Sequence, residues 1–109
     1  MDSALDELQE LRTLCPGAQE MAEAGNRYIF LPKLSVPGVG ELDGLLRPQQ
    51  AAGDGYVTRL FLSAPVPGKG QNWHSHRILD RTWHTCSWNN VPVSYRLILI
   101  LVNHLRAFQ

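Results

Sequence analysis

Asn72-Trp73-His74-Ser75-His76-Arg77-Ile78-Leu79-Asp80-Arg81-Thr82-Trp83-His84-Thr85-Cys86-Ser87-Trp88 is the most informative segment of this chain. It holds three of the four histidines, one of the two cysteines and all three tryptophans. Histidine and cysteine titrate, attack and ligate near neutral pH, so this is where chemistry is to be sought. If the stretch is a hairpin turning at Leu79-Asp80-Arg81, His76 lies opposite His84 and His74 opposite Cys86. Alternation along the strands then puts all four on one face. Three imidazoles and a thiolate at cross-strand distance can hold zinc in a tetrahedron, which makes a zinc-stabilised binding domain one reading. If the stretch is instead a loop, Cys86 stands alone as a nucleophile with His76 and His84 near it. The plain alternative to both is a small buried cysteine among packed tryptophans.

Outward from this stretch, the chain of 109 residues is expected to form one domain, residues 1–109. Its hydrophobic content of 44% is that of a folded protein. A formal net charge of zero leaves no electrostatic footprint for nucleic acid or an anionic membrane surface. The first residues are acidic, with Asp2, Asp6, Glu7 and Glu10, unlike a secretory signal. The longest apolar run, Leu97 to Val102, has six residues, against the roughly 20 that span a bilayer. These features point to a cytoplasmic location and reduced thiols.

Residues 3 to 14 predict a helix with Leu5, Leu8, Leu11 and Leu14 as its apolar stripe. Ala18 to Ala24 predicts a short second helix stopped at Gly25-Asn26. Strands are expected at Tyr28 to Leu31, Glu41 to Arg47 and Tyr56 to Leu62, with turns at Val36 to Gly40, Ala51 to Gly55 and Pro65 to Gly70. Gly68-Lys69-Gly70 lacks the spacing of a phosphate loop. A last helix runs from Val93 to Phe108 after a cap at Asn89 or Asn90. Leu97, Leu101 and Leu105 form its core face. Ile98, Leu99, Ile100 and Val102 add an apolar surplus that suggests self-association or another partner.

In this order of elements the chain resembles the ubiquitin-conjugating enzyme superfamily, and more closely its compact bacterial members. The residues that carry the resemblance are the helix near 3 to 14, the three predicted strands, Pro65-Val66-Pro67-Gly68 as a proline-rich turn, and His76 ten residues before Cys86. Trp88 and the last helix follow. The resemblance implies an α+β fold with an N-terminal helix, an antiparallel meander of about four strands and a C-terminal helix. It implies that Cys86 accepts a ubiquitin-like protein from an activating enzyme as a thioester and passes it to an amine, with no cofactor. His76 would order the loop and His84 would tune the thiolate, with Ser87 a weaker acceptor through an ester. The chain departs from the family at Arg77-Ile78, where the family has Pro-Asn. The loss of that asparagine opens the alternative of a catalytically inactive adaptor that binds a ubiquitin-like or activating protein.

Overall fold

The computed structural model describes residues 3–49, 57–66, 73–86, 91–92 and 94–108. The elements run α1 (Ser3–Leu11), β1 (Gln19–Glu23), β2 (Asn26–Val36), β3 (Gly40–Arg47), β4 (Arg59–Leu62), β5 (Trp73–Ile78), β6 (Arg81–Cys86) and α2 (Leu97–Leu105), with a 3-10 turn at Arg106–Phe108. The strands form one antiparallel sheet in the order β1-β2-β3-β4-β6-β5. The expected architecture of two helices around a meander of about four strands is therefore corrected, among the described residues, to a six-stranded sheet with two short helices. Two segments make the difference, and both do so through their turns.

The first is 19–23, expected as a helix. Ala24 and Gly25 both take positive φ, 53° and 80°. That is the two-residue hairpin turn whose twist suits the flanking strands. It folds Gln19–Glu23 back along Asn26–Phe30 in full register. Glutamate and alanine are good helix formers, but intrinsic propensity is a small term, and pairing with a long neighbouring strand outweighs it. The second is 73–86, which forms two paired strands around Leu79 and Asp80, again at positive φ, 53° and 59°. Leucine is rarely found there. It is held because its N–H donates to the Glu23 carboxylate and its side chain packs on the Trp83 cluster.

β2 does not end at Pro32 as expected but runs through it. Between Leu31 and Leu34 the register with β3 slips by one residue, a β-bulge. Pro32 has no N–H to give, and Lys33, at φ 54°, gives its own to the Asp43 carboxylate at 3.0 Å. The extra residue lets Leu31 and Leu34 both enter the core, at 0% and 2% exposure.

The sheet has two unlike faces. One is covered by both helices, where Ile29, Leu31, Leu46, Leu60 and Leu62 meet Leu8, Leu11, Leu97, Ile100 and Leu101. The other carries a smaller cluster of Tyr28, Leu45, Phe61, Ile78 and Trp83, and among the described residues no helix packs on it. The sequence surplus on α2 is largely absorbed by burial. Ile100 is core, Ile98 and Leu105 pack at its margin, and Leu99 stays 48% exposed. Of this surplus, Leu99 is the side chain left exposed, while Ile100 is not available to a partner. α2 starts later than Val93, and Asn89 and Asn90 lie outside the described residues. Arg96, its N-cap, offers no side-chain cap. Glu7 of α1 accepts the Leu97 N–H at 3.0 Å instead, and Arg96 pairs with Glu10 at 2.8 Å. Among the described residues, no helix is long and apolar enough to cross a membrane.

Candidate functional site

A turn of two residues rather than three decides the geometry of the His/Cys segment. The observed partners are Trp73 with Cys86, His74 with Thr85, Ser75 with His84 and His76 with Trp83. This register differs by one residue from the expected one, and such a shift sends half of the side chains to the other face. His84 and Cys86 lie on the face that carries the helices. His74 and His76 lie on the opposite face. The four proposed zinc ligands are divided by the sheet itself. Among the described residues no three His, Cys, Asp or Glu side chains gather closely enough to hold a metal ion. Treatment with a chelator is accordingly expected to leave the thermal midpoint unchanged. Near-stoichiometric zinc, lost together in His74→Ala and Cys86→Ala, would contradict this register.

The division also separates His76 from Cys86, so the pair expected from the resemblance is not assembled. His76 sits edge-on against Phe61, ring centroids 5.5 Å apart. His84 shares a face with Cys86, two residues along β6, but its Nδ1 faces Ser75 Oγ at 3.2 Å. Ser87 lies outside the described residues.

Cys86 is half-buried at the C-terminal end of β6, against the margin of the main core. Burial pushes its thiol above the ordinary range, and the Arg59 charge offsets part of that. Across from it, Trp73 stacks on Phe108, centroids 6.2 Å apart and planes at 26°. The other thiol, Cys15, is 1% exposed and donates to the Pro32 carbonyl at 3.2 Å. Burial raises its pKa too. Of the two, Cys86 is the less buried.

Two further polar groups belong to this region, and neither stood out in the sequence. Thr58 is 0% exposed and His104 6%. They meet at 2.9 Å, and Thr58 Oγ1 donates to the Val91 carbonyl at 2.8 Å. The signal for His104 was its spacing, since it follows Leu97, Ile100 and Leu101 on the buried stripe of α2. No signal marked Thr58, one threonine among several β-formers.

On the face of the smaller cluster, Met21, Phe30, Leu79, Arg81 and Trp83 line an apolar cleft of about 170 Å³. The Arg81 guanidinium stands 4.6 Å over the Trp83 ring and pairs with Asp43 at 3.0 Å. No protein-family model, curated protein or solved structure matches this chain.

Proposed function

We propose that Cys86 is a carrier thiol that accepts the C-terminus of a ubiquitin-like protein from an activating enzyme and passes it to an amine. In the loading step the Cys86 thiol loses its proton, a sulfur–carbon bond forms, and the activating enzyme's thiolate leaves. In the second step the amine displaces Cys86 and an amide forms. The observation that carries this reading is the placement of Cys86, half-open at a strand end, while Cys15 is sealed in the core. In this reading His84, which shares a face with Cys86, is the histidine that would tune the thiol. His76, across the sheet, serves packing against Phe61.

Mixing the protein with a ubiquitin-like protein, its activating enzyme and ATP is expected to yield a thiol-reducible adduct. Cys86→Ala should abolish it and Cys15→Ala should keep it. An adduct that survives in Cys86→Ala would remove Cys86 from this role.

A silent adaptor is the second reading, favoured by the separation of His76 from Cys86 and by the cleft at Met21 and Trp83. It expects binding of the same partners without any adduct, weakened by Met21→Glu in the cleft wall, where Met21 is 37% exposed.

A further inference from the structure

We infer that the cleft at the start of α2 is a binding site for a small zwitterion, an α-amino acid with an apolar side chain. The cleft shares no residue with the carrier proposal.

Its volume is about 310 Å³, at the lower end of the range of small-molecule sites. Three parts of the chain build it. Arg27 enters from β2, two residues before Ile29 of the main core, so alternation puts it on the face that carries the helices. Glu7 enters from α1, one turn before Leu11. Ser94 and Tyr95 come from the turn that leads into α2. Leu97 and Ile100, 2% and 1% exposed, supply an apolar base.

The polar groups of this cleft are under-used. Arg27 Nε donates to Glu20 Oε1 at 2.9 Å. Arg27 Nη2 stands 2.8 Å from that same oxygen, yet it is cut off from solvent and makes no hydrogen bond among the described residues. A guanidinium carries five N–H donors, and a buried nitrogen without an acceptor is uncommon and costly. Glu7 spends one carboxylate oxygen on the Leu97 N–H at 3.0 Å, which leaves the other. No hydrogen bond within the described residues takes up the Ser94 or Tyr95 hydroxyl.

Charge selects the ligand. A plain anion would meet the Glu7 carboxylate. A plain cation would meet Arg27 and Arg96, the latter on the same wall and paired with Glu10 at 2.8 Å. A molecule with both charges suits both: its carboxylate faces Arg27 and its ammonium faces Glu7. Charge-assisted hydrogen bonds of this kind are roughly twice as strong as neutral ones. Tyr95, 42% exposed, and the Leu97–Ile100 base then offer apolar surface to the side chain.

The test is calorimetric titration of the full chain with L-phenylalanine, with 3-phenylpropionate, which lacks the ammonium, and with phenethylamine, which lacks the carboxylate. L-Phenylalanine is expected to bind at one site, at least about ten-fold more tightly than either analogue, the equivalent of one charge-assisted hydrogen bond. Arg27→Gln should remove the preference over phenethylamine. Glu7→Gln, whose amide oxygen can still accept the Leu97 N–H, should remove the preference over 3-phenylpropionate. No saturable binding of L-phenylalanine overturns the inference, as do equal affinities for the three compounds. Tighter binding of 3-phenylpropionate would mark a plain anion site and overturns it too. So does binding that both folded variants leave unchanged. If a variant does not fold, the ranking of the three compounds on the wild type decides. No step uses a ubiquitin-like protein, so failure of the carrier reading leaves these outcomes unaffected.

Discussion

Acidification from pH 6.5 to about pH 4 is expected to remove about 3 kcal/mol of folding free energy through His104 alone. Burial, first, and the Arg59 and Arg47 charges, second, push its pKa from 6.5 down to about 4. The unfolded chain therefore binds a proton that the folded chain refuses. This sets the sign: the contribution is fully present above pH 6.5 and is lost as pH falls through the window towards 4. The size matters because a domain of this length commonly has only about 5–15 kcal/mol in total. Urea unfolding at a series of pH values measures it. His104→Gln, which can still donate to Thr58, should flatten the curve in that window. Asp43 acts lower down. The Lys33 N–H and the Arg81 side chain hold its carboxyl below 3.8 against the opposing effect of burial, so its loss comes after that of His104. A wild-type stability that is level between pH 6.5 and 4.5 would contradict the burial of His104.

Leu101→Ala should cost about 2–5 kcal/mol in the same measurement. Leu101 is 0% exposed, at the contact between α2 and the sheet, with Leu11, Leu60 and Ile100 in the same cluster. Removing three carbons there leaves a cavity that two short helices and a sheet cannot close without moving their backbones. Two residues back, Leu99 is 48% exposed, and Leu99→Ala should stay within about 0.5 kcal/mol. A similar cost for both would mean that α2 presents a different face to the sheet.

Periodicity in the sequence located these core positions well. Leu8, Leu11, Leu97 and Leu101 were legible from helical spacing, and Leu45, Leu46, Leu60 and Leu62 from apolar runs with β character. What escaped was set by turns. Ala24-Gly25 and Leu79-Asp80 take left-handed conformations that no Asn-Gly or Asp-Gly pair announces. The first turned an expected helix into β1. The second moved a register by one residue and undid the zinc set of His74, His76, His84 and Cys86 as well as the pairing of His76 with Cys86. Pro32 read as a strand end because its missing N–H is absorbed by a bulge that only the Asp43 carboxylate explains. The candidate site was therefore legible as a place, but not as a geometry. Residue types showed where the thiol and imidazoles cluster, and only the register showed which of them share a face.

The most direct measurement on the carrier proposal is to locate the adduct by peptide-mapping mass spectrometry after reaction with a ubiquitin-like protein, its activating enzyme and ATP. The modification is expected on Cys86, removed by thiol reductant. A modification that resists reductant and maps to Ser87, one that maps to Cys15, or a bound partner with no covalent adduct at all would contradict it.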